Sequence, residues 1–172
     1  MKLKKILQNI FKKTFQNLFK VIYGQIKILD NKSEFNFKKY NIEKINISGQ
    51  VFTVNKNIYE IDNARVFTDL VEHVAIIKDN FILPKISYQQ IKGELKDTSY
   101  NKVLFSGTNR MKKKIKGKVL SLLQGASGNN YFHFMFDIVP KILLLEKMNL
   151  LKQIDFFLVP DIQNWQKTIL SN

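Results

Sequence analysis

The sequence predicts an α/β protein: an N-terminal amphipathic helix, a small antiparallel β meander, then the start of a parallel sheet. Three observations carry this. Apolar residues recur at spacings of three and four near the start of the chain. Short β-branched and aromatic runs, broken by turn residues, fill its middle. A strand, loop, helix, strand succession closes it.

The helix is expected over residues 1–28. Leu3, Ile6, Leu7, Ile10, Phe11, Phe15, Leu18, Phe19 and Ile22 form a broad apolar stripe, and Lys2, Lys4, Lys5, Lys12, Lys13 and Lys20 are interspersed with it. No acidic residue appears before Asp30. No apolar run approaches the roughly 18 residues that a bilayer-spanning helix needs. The small-residue cleavage site of a signal peptide is also missing. Two readings stand side by side: a helix lying on an anionic membrane surface, or a helix packed on its own domain with its Lys residues in water.

Residues 29–42 begin with a polar, turn-like stretch and are expected to be a linker. Residues 43–172 then form one α/β domain. Strands are predicted at 43–47, 50–54, 64–68, 73–77 and 81–83, the last two joined by a tight turn over Lys78-Asp79-Asn80. Lys112, Lys113, Lys114, Lys116 and Lys118 make a charge run, expected as a solvated loop that could touch phosphate. Residues 118–124 read as a short buried strand and 125–130 as a Gly- and Asn-rich loop. A helix is expected over 131–148 and a second strand over 155–160, which makes a crossover unit with parallel strands. A further helix opens near Ile162 and the sequence ends at Asn172, so the expectation is of a sheet continued in a larger polypeptide.

Composition narrows the function classes. Of 172 residues 45% are apolar, including 14 Phe and 6 Tyr, which excludes a disordered chain. The net charge is +14, yet the only arginines are Arg65 and Arg110. Guanine and phosphate are read best by the bidentate guanidinium fork, so nucleic acid is not the expected partner. The absence of cysteine removes disulfides, thiolate nucleophiles and Cys-ligated zinc. Two histidines 60 positions apart, His73 and His133, make a poor metal cluster, so no metal is expected.

The chemistry concentrates in residues 128–140, Gly-Asn-Asn-Tyr-Phe-His-Phe-Met-Phe-Asp-Ile-Val-Pro. On a helix His133 and Asp137 share a face, where the carboxylate can hold the imidazole in one tautomer, as general bases require. Asn129 or Asn130 can cap the helix, whose first N–H groups are then offered to an anion or a sugar hydroxyl. Pro140 removes the N–H that would bond to the Phe136 carbonyl, so a kink is expected. The aromatic content predicts a nearly buried helix, and a buried His–Asp pair can also be purely structural. His73, just ahead of an apolar strand, reads as structural.

Residues 130–141 resemble the signature of glycosyltransferase family 61, the capsular and cell-surface polysaccharide transferases. That motif runs Asn-Tyr-(aromatic)-His-Trp-x-x-Asp-x-(Leu/Val)-Pro-Arg. Asn130, Tyr131, His133, Asp137 and Pro140 match it, while Phe134 stands for the usual Trp and Lys141 for the usual Arg. Lys141 gives up the bidentate phosphate contact of an arginine. The preceding 118–122 strand, the trailing Leu143-Leu144-Leu145-Glu146 and the upstream 64–67 and 82–87 segments also fit, so the resemblance covers roughly residues 60–172.

The resemblance implies an inverting, metal-independent transferase with a GT-B fold, two Rossmann-like domains facing across a cleft. This chain would supply the N-terminal, acceptor-side domain, with the nucleotide-sugar domain outside it, and would be inactive alone. No cofactor is implied beyond a nucleotide-sugar co-substrate, and the acceptor would be a glycan. His133 takes the role of base and Asp137 that of its orienting partner, with the reverse assignment, Asp137 as base, left open. Asn130, Tyr131 and Lys141 take substrate-binding roles. The expected location is cytoplasmic, at the inner face of the cytoplasmic membrane through residues 1–28. A non-enzymatic, membrane-associated α/β scaffold is the competing reading.

Overall fold

The computed structural model describes residues 2–29, 37–70, 72–124 and 128–171. It is a mixed α/β structure with an N-terminal helix and several sheets, one of them a parallel pair. The chain divides into two compact units: residues 30–64, and residues 1–29 together with 65–172.

Helix α1 runs Lys2–Tyr23, shorter than the sequence indicated. Gly24 stops it with φ +80°, a left-handed conformation that a Cβ would strain, and a Cβ there would also sit 2.7 Å from Asn80 Nδ2. The next residues leave the helix altogether. Ile26 is buried, and Lys27–Ile28 form strand β1.

The smaller unit is one antiparallel hairpin, β2 (Lys38–Ile47) and β3 (Gln50–Glu60). Its turn places Ser48 at φ 50° and Gly49 at φ 85°, and Gly49 N–H donates to Asn46 Oδ1 at 3.0 Å. Both strands outrun their predicted limits. Residues 38–42, expected as the end of a linker, belong to β2, because Lys38, Lys39 and Asn41 pair with Glu60, Tyr59 and Asn57 through the backbone ladder, which polar side chains do not prevent. Residues 30–36 of the expected linker lie outside the described residues.

The larger unit contains a mixed sheet around β5 (His73–Lys78), whose Val74, Ala75, Ile76 and Ile77 are all buried. Strand β4 (Arg65–Leu70) pairs along it. Strand β6 (Phe81–Ile82) joins its far end through a turn in which Asp79 and Asn80 take φ 48° and 64°, as the Asp-Asn pair led one to expect. β1 lies parallel to β6. Strand β7 (Tyr88–Ile91) pairs with the His73 end of β5, and β8 (Glu94–Leu95) with β7. Helix α2 (Lys102–Ser106) is capped by Asn101, whose Oδ1 accepts from Val103 N–H at 3.2 Å. Its Val103 packs with Ile26, Ala75, Ile77 and Ile82.

The closing segment is the predicted crossover. Strand β9 (Val119–Ser121) and strand β10 (Phe156–Leu158) pair in parallel, in register Val119↔Phe156 through Ser121↔Leu158. Between them run α3 (Tyr131–His133), a π-helical turn (Phe134–Ile138) and α4 (Val139–Lys147). Helix α5 (Asn164–Ser171) follows β10. Leu122, Phe134 and Ile138, each at most 1% exposed, form the centre of this core, with Trp165 of α5 against it.

Candidate functional site

The helical stretch 131–147 starts where Asn130 turns the chain. Its Oδ1 accepts from His133 N–H at 3.2 Å, and its carbonyl accepts from Phe134 N–H at 3.0 Å. The cap consumes a donor that the sequence left open for a ligand. Just ahead, Gly128 passes so close to the next segment that a Cβ would stand 2.9 Å from the Asp161 carbonyl oxygen. Residues 125–127 of the preceding loop lie outside the described residues.

At Pro140, where a disturbance of the helix was expected, the chain forms a π turn. Val139 N–H bonds to Phe134 O, five residues back. Widening the turn by one residue spares Phe136 O a clash with the proline ring, and Pro140 then falls in the opening turn of α4. Such single wide turns recur at functional sites because they re-aim side chains without ending the helix.

From the end of α3 into this turn, His133 Nδ1 and Asp137 Oδ2 lie 2.8 Å apart. Their side chains are 42% and 32% exposed, so the pair is at the surface rather than in the core. A carboxylate on Nδ1 fixes the tautomer, leaving Nε2 as the nitrogen able to accept a proton. Lys141, one turn further on, donates from Nζ to Gln124 Oε1. Burial pushes its ammonium below the ordinary lysine value, and the nearby Asp137 carboxylate pulls the other way. His133, Asp137 and Lys141 therefore follow one another along one face, ending on Gln124 from the far side of the loop.

The expectation of a nearly buried helix is overturned. Tyr131, Phe132 and Phe136 are exposed by 63%, 61% and 64%. Phe134 and Ile138 turn inward, with Met135, Val139 and Ile142 packed beside them. Phe132 and Phe136 stack on each other at 4.6 Å, and Phe132 meets the His133 ring edge-on at 5.8 Å. Tyr131 leans on Trp165 at 5.3 Å. Phe134, the residue standing where the signature has Trp, is 1% exposed and meets Trp165 edge-on, so it is a packing residue.

Of the sequence-derived candidates, His133, Asp137 and Lys141 come together, Asn130 is engaged as the cap, and Tyr131 flanks them. His73 opens β5 in the separate mixed sheet. Gln124 and the Phe132–Phe136 stack were missed. The stack was legible as two Phe residues four apart, whereas the Gln124 contact depends on how the chain returns to the helix. Among the described residues no three His, Asp or Glu side chains gather as a metal-ligand set. No helix among them is long and apolar enough to cross a membrane.

No protein-family model, curated protein or solved structure matches this chain.

Proposed function

We propose that this chain is the acceptor-side part of an inverting glycosyltransferase of the family 61 type, with a Rossmann-like sheet in a GT-B arrangement. In this reading it transfers a sugar from a nucleotide-sugar to a surface-polysaccharide or other glycan acceptor, and the donor-binding half lies outside residues 1–172. The observation that carries the reading is the 2.8 Å contact of His133 Nδ1 with Asp137 Oδ2 at the head of a helix joining two parallel strands. The signature residues Asn130, Tyr131 and Pro140 surround it. A parallel pair with Val119, Phe156 and Phe157 37%, 49% and 37% exposed also supports further covering structure, since parallel sheets are ordinarily covered on both faces.

In this reading the acceptor hydroxyl gives its proton to His133 Nε2 as its oxygen bonds to the anomeric carbon. The bond from that carbon to the donor's phosphate oxygen breaks, and the nucleoside diphosphate leaves with the electron pair. Attack opposite the leaving group inverts the centre. Asp137 holds the ring and stabilises the imidazolium that forms. Asp137 Oδ2 is engaged by Nδ1 of the ring, the arrangement of an orienting carboxylate behind an imidazole base, which favours His133 as base. Phe132 and Phe136 offer an apolar wall to a sugar face, and Lys141 a cation near the site. His133→Ala in a protein that contains both halves is expected to abolish transfer with the fold intact; near-normal turnover would exclude His133 as base.

The finer location we propose is the inner face of the cytoplasmic membrane, through α1. Its support is the exposure of Leu3, Ile6, Leu7, Ile10 and Phe11 on a helix without an acidic residue. The packed reading of α1 describes its Phe19 flank, and the membrane reading is the one we propose for the exposed remainder.

A further inference from the structure

Among the described residues, helix α1 packs on its own unit along its Phe15–Phe19–Tyr23 flank. Phe19 is 5% exposed, and Phe15 and Tyr23 are half-buried. Lys20 Nζ donates to the Phe105 carbonyl at 2.6 Å. The rest of its apolar arc stays open: Leu3, Leu7, Ile10 and Phe11 are 70%, 58%, 58% and 64% exposed. This places an insertion face at a set orientation on a folded body rather than on a free tail.

The chain after α2 runs beside that helix. Asn109 lines one shallow depression with Leu7, Asn9, Phe11 and Lys12. Lys112 N–H donates to the Tyr23 hydroxyl at 3.4 Å, and the Lys112 ammonium lies 4.3 Å from the centre of the Tyr23 ring. The same segment carries Arg110, Lys112, Lys113, Lys114 and Lys116, and two apolar side chains, Met111 and Ile115, 75% and 52% exposed. Two segments nearly 90 residues apart in sequence thus lie side by side, both basic and both studded with exposed apolar groups.

We infer that α1 and the 107–117 segment form one composite surface for anionic lipid, which rests on the membrane reading of α1 and extends it. Phosphate headgroups meet the lysines of both segments, while the aliphatic and aromatic side chains enter the boundary beneath. A polynucleotide would match the charge but would leave Leu3, Leu7, Ile10 and Phe11 uncovered in water, so lipid is the better fit. The surface also explains the 112–118 charge run without a nucleotide ligand.

The test is flotation of the full chain with phosphatidylcholine vesicles, with and without phosphatidylglycerol, at low and high salt. Three proteins are compared: wild type, Leu7→Glu/Phe11→Glu, and Lys112→Gln/Lys113→Gln/Lys114→Gln. All substituted side chains are exposed, and circular dichroism checks that each variant is folded. Wild type is expected to float only with the anionic vesicles, less so as salt rises. Each lysine neutralised should weaken binding about fivefold, so the triple variant loses on the order of a hundredfold. Unchanged flotation of the triple variant overturns the composite surface while leaving α1 as a membrane helix. Unchanged flotation of Leu7→Glu/Phe11→Glu, failure of wild type to float, or full displacement from vesicles by duplex DNA overturns both.

Discussion

Replacing Phe134 by alanine should destabilise the C-terminal core severely, while the same change at Phe136, two residues away, should cost well under half as much. Phe134 is 1% exposed and packs with Leu122, Ile138 and the edge of Trp165 at 5.2 Å. Deleting a fully buried Phe side chain removes about 150–200 Å² of burial, worth about 4 kcal/mol, within the usual 3–5 kcal/mol for such truncations. Phe136 is 64% exposed, so only about a third of that area is at stake, or about 1.5 kcal/mol, together with its stacking on Phe132. The difference expected between the two variants is therefore about 2.5 kcal/mol. Urea unfolding followed by tryptophan fluorescence reads it directly, because Trp165 is the single tryptophan and sits in this core. Because the chain has two compact units, this local probe is preferable to a global one. Equal losses for the two variants, or a loss below about 1 kcal/mol for Phe134→Ala, would refute the assignment of inward and outward faces.

Other consequences follow from the same geometry. Asn130→Ala removes the acceptor for His133 N–H and should cost about 1 kcal/mol, read by the same fluorescence titration. Lys141 has its folded-state value depressed by burial, so the unfolded chain holds more protons as pH nears 10.5 from below. Stability should thus rise with pH across the window between the folded value and 10.5, and Lys141→Met should flatten that slope in thermal melts taken at several pH values. Calorimetry of residues 1–172 against nucleotide-sugars is expected to show no heat of binding, and clear affinity would overturn the claim that the donor half lies elsewhere. In a protein with both halves, Asp137→Asn should lower turnover more than acceptor affinity, since it disorients the base without removing it.

Much of the framework was legible because it rests on local signals. The three-and-four spacing announces α1, and Asp79-Asn80 announces a left-handed turn. The parallel β9–β10 pair follows from two apolar runs either side of a helix. What escaped had no local signal. Strand β7 is Tyr-Gln-Gln-Ile, whose Gln89 is buried through hydrogen bonds with Asn101 and Lys96, a burial that composition argues against. Helix α2 is five residues long, too short to show a period. Residues 24–28 carry on the apolar pattern of α1 but are claimed by β6, a tertiary choice that only Gly24 hinted at.

At the site, the His133–Asp137 spacing was readable from the helix repeat alone. The exposure of Tyr131, Phe132 and Phe136 was not, because aromatic content says how much apolar surface exists but not whether the core is wide enough to cover it. The π turn was half visible: Pro140 demanded a disturbance, but not the widened form that it takes. Gln124 approaches Lys141 across the loop and could be known only from the fold.

The most direct test is a transfer assay in a polypeptide joining residues 1–172 to the donor-binding half, with a panel of nucleotide-sugars and glycan acceptors and the product anomer assigned by NMR. The expected result is an inverted glycoside from wild type and a loss of about 10²–10⁴-fold in turnover for His133→Ala. Retention of configuration, or near-wild-type turnover without the imidazole, would contradict the role given to His133 and Asp137.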